Sequence, residues 1–273
     1  SAYIDQIQYI LNNTYFNYAE YGSMWKSDFI PSGGLGKIDV GVAILSRWPL
    51  SNAERIQLPL REDQASYEKY FYLRRCMVKA KVEIPGWDDL YAIDIHAASF
   101  STDDTKQKHI IKYKNILDDL HSSGMKFVTG GDLNAIPPNA PKFDFCTSDQ
   151  CSQDEHTWHT DSNNDSLNYH RKGSYYNNFQ ENHNYPSERD LLTLLYNNLE
   201  FYPAIPYDER NMNINFTYGP YNSDHPEKLF YDRKLDYLFT NYADWSNTGK
   251  THQQNTKFLS DHIPVSAILY KNK

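Results

Sequence analysis

Met125-Lys126-Phe127-Val128-Thr129-Gly130-Gly131-Asp132-Leu133-Asn134 is the stretch on which the reading of this chain turns. Its first five residues have the length and apolar content of a short buried strand, and they run without a linker into two glycines, an aspartate and an asparagine. Reactive side chains in α/β proteins gather on loops at the C-terminal ends of such strands. The expectation is a strand over 125–129 that delivers Asp132 and Asn134 to one edge of a sheet.

On the N-terminal side, residues 105–120 carry Ile110, Ile111, Ile116, Leu117 and Leu120 at helical spacing. Before them, 76–84 and 90–96 read as two strands joined by the Pro85-Gly86 turn. The apolar run over 40–45, stopped at Ser46-Arg47-Trp48-Pro49, suits a strand buried on both faces. Gly33 to Gly36 reads as a turn, 15–21 as an aromatic strand, and 3–12 as a helix with Ile4, Ile7 and Leu11 on one face. Toward the C-terminus, periodicity is lost over 137–186. This polar stretch is too long for an ordinary connection and reads as a functional or specificity insertion with little regular structure. A helix over 188–198 and strands over 235–241 and 263–270 complete the chain. Strand and helix alternate, with no repeat and no linker, so a single domain over 1–273 is expected.

The chain has 273 residues, 40% hydrophobic and 23% charged, enough to bury a sizeable core. A net charge of −8 argues against a generally basic nucleic-acid-binding surface, but a local positive cleft survives such a total. No run approaches the roughly 18 to 20 apolar residues of a membrane span, and the opening SAYIDQIQYI lacks the basic start and apolar run of a signal peptide. Cys76 lies in an apolar-rich run, where a small buried thiol is the simpler account than a nucleophile. Cys146 and Cys151 suit a small disulfide loop; with His156 and His159 they could instead hold a structural zinc, though the spacing is unusual. The cysteine pair and the acceptor patterns starting at Asn12, Asn164 and Asn215 point to a secreted, periplasmic or lumenal protein.

Asp, Asn and His stand directly beside apolar runs in Ile95-His96, Gly131-Asp132-Leu133-Asn134, Lys234-Leu235-Asp236-Tyr237 and Ser260-Asp261-His262. Carboxylate and amide oxygens suit a hard divalent cation, the usual partner of phosphoryl chemistry, and histidines suit proton transfer. Each segment alone has a blander account: an Asx turn at 132–134, a loop cap at 260–262, a core histidine at His96, and a buried partner of Arg233 at Asp236.

Taken together, Gly-Val-Ala-Ile-Leu-Ser-Arg-Trp-Pro-Leu (41–50), Asp-Ile-His (94–96), Gly-Gly-Asp-Leu-Asn (130–134), Arg-Lys-Leu-Asp-Tyr-Leu-Phe (233–239) and Ser-Asp-His-Ile-Pro-Val (260–265) resemble, in this order, the endonuclease/exonuclease/phosphatase superfamily. The resemblance spans essentially the whole chain. It implies a four-layer α/β sandwich, two mixed β-sheets packed face to face with helices outside, and in-line attack of water on phosphorus assisted by Mg²⁺, with Mn²⁺ or Ca²⁺ as alternatives. Carried over by motif, Asp132 and Asn134 match the pair that positions the water and contacts phosphate or metal. Asp261 matches a metal-binding carboxylate, His262 the histidine at the scissile phosphate, and Asp236 the acid that fixes its tautomer. His96 matches a second histidine of the cleft. Arg75 resembles a phosphate-contacting arginine, with Arg74 beside it leaving the register open and a surface ion pair as the alternative. The substrates implied are nucleic acids, inositol phosphates or phospholipid headgroups, acted on by a monomer, and the segment 41–50 also looks like the matching strand of secreted sphingomyelinases.

Family members ordinarily begin with a strand carrying an Asn and a later strand ending in Gln-Glu, whose Glu binds metal; neither is present, and Ser1 to Gln6 look like the segment that follows them. The expectation is a chain starting just downstream of those motifs that by itself binds Mg²⁺ poorly. A different class of reading is a catalytically inactive binding module that retains the fold.

Overall fold

In the computed structural model, the described residues are 4–30, 36–62, 64–99, 101, 103–140, 157–160, 166–169, 188–219, 231–242, 245–256 and 259–271. In chain order they form α1 (Gln6–Asn13), β1 (Tyr18–Ile30), β2 (Gly36–Ser46), β3 (Leu50–Gln57), α2 (Ser66–Phe71), β4 (Cys76–Val82), β5 (Leu90–His96), α3 (Thr105–Ser122), β6 (Lys126–Asp132), β7 (Thr157–Thr160) and β8 (Ser166–Tyr169). These are followed by α4 (Glu188–Leu191), α5 (Thr193–Tyr196), β9 (Tyr202–Pro203), β10 (Asp236–Thr240), β11 (Lys250–Thr251), α6 (Gln253–Thr256) and β12 (Val265–Ser266). None of their helices is long and apolar enough to cross a membrane.

The central sheet has six strands in the order β3-β4-β5-β6-β10-β9. Only β5 and β6 run parallel, and a parallel pair needs a long crossover, which the 18-residue α3 supplies. Ile110, Tyr113 and Leu117 form one buried stripe of α3 and pack with Ile93, Ile95, Phe127 and Phe239 in the main core. Tyr113 buries its hydroxyl by pairing it with Thr129 Oγ1 at 2.6 Å, so no polar group is left stranded there. The other face of the sheet is covered by the antiparallel pair β1–β2, through Met24, Val42, Cys76 and Val78. Ala43 N–H of β2 donates to Asp94 Oδ2 of β5 at 3.1 Å, a polar tie between the two sheets. The fold is an α/β sandwich, with helix, six-stranded mixed sheet and β1–β2 sheet in successive layers. Among the described residues the second sheet is not continuous: β1–β2 and β11–β12 are separate pairs.

Several elements differ from the expected ones. The strand expected over 263–270 contracts to Val265–Ser266, because only these residues meet a paired neighbour, Thr251 and Lys250. The helix expected over 188–198 becomes two single turns. Leu192 has ψ −3°, and its carbonyl accepts Leu195 N–H three residues on, so the chain tightens there while Leu191, Leu192, Leu195 and Tyr196 stay buried. The insertion starts later than 137, since Ala140 is buried and Pro138 O accepts Arg210 Nε–H at 3.0 Å, and β7–β8 gives it one hairpin. Cys76 is a buried free thiol facing Gly22 O, and burial pushes its pKa up. The disulfide and zinc alternatives at Cys146, Cys151, His156 and His159 fall on side chains outside those described. Asn215 is buried and its amide donates to Glu209 O at 3.0 Å, which leaves that acceptor pattern inaccessible in the folded chain.

Candidate active site

Strand β6 runs through the glycine pair to Asp132 instead of ending at Thr129. A Cβ on Gly130 would sit 2.2 Å from Tyr237 O, and one on Gly131 would sit 2.0 Å from Ile95 O, with φ +133° at Gly131. Only glycine lets both neighbours, β5 and β10, close on this point. That closure brings His96 opposite Asp132 on one side and Asp236 opposite Asp132 on the other. Three side chains far apart in sequence thus stand side by side at one sheet edge.

Asp132 is held from its own loop. Its Oδ1 accepts Asn134 N–H at 2.8 Å, and its Oδ2 accepts the Asn134 side-chain amide at 2.7 Å. Asn134 adopts φ 47°, a left-handed conformation that Asn tolerates, and its amide also reaches Ala97 O at 3.0 Å. His96 Nε2 lies 3.3 Å from Asp132 Oδ2. On the other side, His262 Nδ1–H donates to Asp236 Oδ2 at 2.9 Å, which orients the imidazole. Asp132, Asp236 and His262 each place one ligand atom within 4.8 Å of the others, the only group of this kind among the described residues.

The electrostatics separate these groups. Burial raises the Asp132 pKa to about 7, with the neighbouring Asp236 charge adding to it. For His262, burial opposes the charged form, but the hydrogen bond from Nδ1 and the charges of Asp236, Asp132 and Asp261 raise it to about 9. His96 goes the opposite way, to about 3, through burial and then the charges of Arg75 and His262. At neutral pH the edge holds a cationic His262 and a neutral His96, while burial and the Asp236 charge push Asp132 above the ordinary carboxylate range.

Arg75 is buried beside Tyr72 and Asp132, and burial lowers its pKa. Its Nε and Nη1 have no hydrogen-bond partner among the described residues, whereas Arg74 is exposed. Asp261 is not drawn into the three-residue group; it is exposed, and Ser260 Oγ donates to its Oδ1 at 3.3 Å. Asp132, Asn134, His96, Asp236, His262 and Arg75 are therefore assembled at one edge, with Asp261 at its rim.

One positioning segment escapes the sequence reading. Thr217 Oγ1 accepts Leu235 N–H at 2.9 Å and Asp236 N–H at 3.0 Å, and Thr217 O accepts Ile263 N–H at 2.7 Å. Tyr218 bridges both Arg233 and His262, with its ring 5.0 Å from the imidazole. Residues 217–218 clamp the Asp236 strand to the His262 segment. The signal was present in Asn215-Phe216-Thr217, but as a glycosylation pattern it pointed to the surface. Buried Lys234 lies beside them, its Nζ 5.1 Å from the Tyr237 ring centroid and without a hydrogen bond among the described residues, its pKa lowered to about 8 by burial.

A comparison with curated protein sequences gave no match. Among solved structures, an endonuclease/exonuclease/phosphatase from Beutenbergia cavernae is similar, at TM-score 0.54 and 17% identity over 96% of this chain and 55% of that one, so this chain spans about half its length. A 3′-5′ exonuclease from Neisseria meningitidis is similar at TM-score 0.53 and 18% identity, over 96% of this chain and 93% of that one. The 3′ phosphatase form of the Neisseria protein, bound to a product DNA hairpin, gives TM-score 0.53 and 16% identity over 97% and 93%. At these identities the likeness establishes the fold. The sequence profile of the endonuclease/exonuclease/phosphatase family matches residues 4–262, and with the sandwich and the site edge in place this chain belongs to that family of phosphoester hydrolases.

Proposed function

We propose that this chain is the catalytic part of a divalent-metal-dependent phosphodiester hydrolase acting on nucleic acid. The observation that carries the reading is the convergence of Asp132, Asp236 and His262 within 4.8 Å beside Arg75, which is hydrogen-bonded to Tyr72 but whose Nε and Nη1 have no partner among the described residues. The donor set fits a hard dication: two carboxylates crowd one another enough to help raise Asp132, a repulsion that a bound cation relieves. Asp132 and Asp236 would hold it, with Asp261 beside His262 as a further carboxylate. When bound, the ion supplies Lewis-acid polarisation of the phosphate and neutralises charge on its oxygens.

The chain's own groups have distinct tasks. Asp132, pinned by both amide donors of Asn134, offers a fixed carboxylate that orients the attacking water as a hydrogen-bond acceptor. His262, charged and held by Asp236, donates toward a phosphate oxygen where negative charge develops. His96, neutral above about pH 3, offers a hydrogen bond without adding a competing charge. Arg75 supplies two N–H groups that have no other acceptor among the described residues, as a phosphate contact requires.

The test is Mg²⁺-dependent hydrolysis, by the protein with its natural N-terminus, of plasmid DNA, RNA, sphingomyelin and bis-nitrophenyl phosphate, with Asp132→Ala, Asp261→Ala and EDTA as controls. Turnover of a nucleic acid that all three controls abolish is the expected result. Turnover confined to sphingomyelin moves the substrate to a lipid headgroup, and none on any substrate points to a binding module.

A further inference from the structure

At the same sheet edge, on the β1 side, lies a cavity of about 410 Å³ that the chemistry above does not use. Its walls include Trp25 and Lys26 of β1, Arg55 of β3, Phe71 of α2 and Arg74 of the segment entering β4. Three cations from three parts of the chain face one concavity, with no carboxylate among its described lining residues, in a protein of net charge −8. Arg55 is braced: Nε donates to Ser23 O at 2.8 Å and Nη2 to Arg74 O at 3.1 Å. Among the described residues Lys26, itself exposed, pairs with Asp39 at 3.8 Å, and the exposed Arg74 guanidinium has no hydrogen bond or ion pair. Neighbouring residues of an extended segment point opposite ways, so Arg75 serves the site and Arg74 the cavity.

The cavity is within reach of the chemistry. The Met77–Ile95 and Ile95–Gly131 pairings align the start of β4 with Asp132, two strand spacings away. At about 4.8 Å per strand the start of β4 is about 10 Å from Asp132, and Arg74 lies just before it, which places the cavity a short stretch of extended single strand away from the site. Cations that track a phosphate backbone, interleaved with aromatic faces on which bases stack, are the physical requirements for holding a single strand. A concave site suits an inserted nucleotide better than a flat lipid surface.

We propose that this cavity is a second subsite of the hydrolase, binding a non-scissile phosphate of a single-stranded nucleic acid, with an adjoining base stacked on Trp25 or Phe71. The assignment rests on the hydrolase reading, so its test is a binding measurement in EDTA, where no turnover occurs. Fluorescein-labelled single-stranded DNA of two and eight nucleotides is titrated by anisotropy against the parent, Arg74→Glu, Arg74→Lys and Trp25→Ala, each checked for an unchanged melting transition. The eight-mer is expected to bind about tenfold more tightly than the dinucleotide. Arg74→Glu and Trp25→Ala each lose about tenfold on the eight-mer, Arg74→Lys retains most of it, and the salt dependence of Arg74→Glu falls by about one counterion. Equal eight-mer affinity and equal salt slope in parent and Arg74→Glu overturn the subsite. So does Arg74-dependent binding seen only with phosphatidylserine vesicles, or displacement of the eight-mer by micromolar inorganic phosphate. If the eight-mer binds through Arg74 but is not cut when Mg²⁺ is restored, the subsite stands and the hydrolase reading falls.

Discussion

Replacing Asp94 by asparagine tests the contact that seats β2 over the central sheet. Asp94 accepts the Ala43 N–H at 3.1 Å, and its pKa is raised from 3.8 to about 6 because burial disfavours the charged form more than its two backbone hydrogen bonds favour it. The folded chain therefore binds more protons than the unfolded chain between about pH 4 and 6, and stability falls as pH rises through that window. The displacement corresponds to roughly 3 kcal/mol if fully realised. Asp94 is only partly buried, so solvent screening reduces this to about 1–2 kcal/mol. The asparagine side chain keeps an oxygen to accept from Ala43 but carries no charge. Urea unfolding of both proteins at pH 4 and pH 8 isolates the effect, because every other carboxylate cancels in the difference at each pH. The Asp94→Asn variant is expected to match the parent at pH 4 and exceed it by about 1–2 kcal/mol at pH 8. A variant less stable than the parent at pH 8, or a difference that does not change with pH, refutes the reasoning.

Two further outcomes follow from the site's construction. Gly131→Ala adds a Cβ 2.0 Å from Ile95 O at φ +133° and is expected to destabilise by roughly 3 kcal/mol, whereas Gly124→Ala, at φ +76° with nothing within 4 Å, costs about 1 kcal/mol; equal melting temperatures would contradict the packing argument. Asp236→Asn keeps an oxygen for His262 Nδ1–H but removes the charge that helps hold the imidazole near 9, so it should titrate well below 9, toward the ordinary 6.5, by NMR, with hydrolysis at pH 7.5 down about 10²- to 10⁴-fold; a midpoint still near 9 would show that Asp236 is not the cause.

Much of this protein is legible locally. The apolar runs around 76–82, 90–96 and 126–129 and the stripe Ile110, Ile116, Leu117 state strand or helix through their own periodicity, and the Asp, Asn and His residues of interest stand directly beside apolar runs, His96 and Asp132 at strand ends and Asp236 at a strand start. For that reason Asp132, Asn134, His96, Asp236 and His262 could be named without coordinates. Element lengths were less legible. Whether 263–270 is a strand depends on which backbone groups find partners elsewhere, and only Val265 and Ser266 do so in pairs. The choice between Arg74 and Arg75 likewise needed the fold, since adjacent arginines carry no local sign of which one a neighbouring layer buries. The clamp at Thr217 and Tyr218 had the least local signal, because its hydroxyl and carbonyl serve Asp236 and Ile263, tens of residues away. Sequence thus determined which chemical groups stand at strand ends. The tertiary structure decided their distances, the burial that pushes Asp132 up and His96 down, the carboxylates that hold His262 charged against its burial, and the cavity beside them, because hydrogen-bond partners and desolvation come from residues distant in the chain.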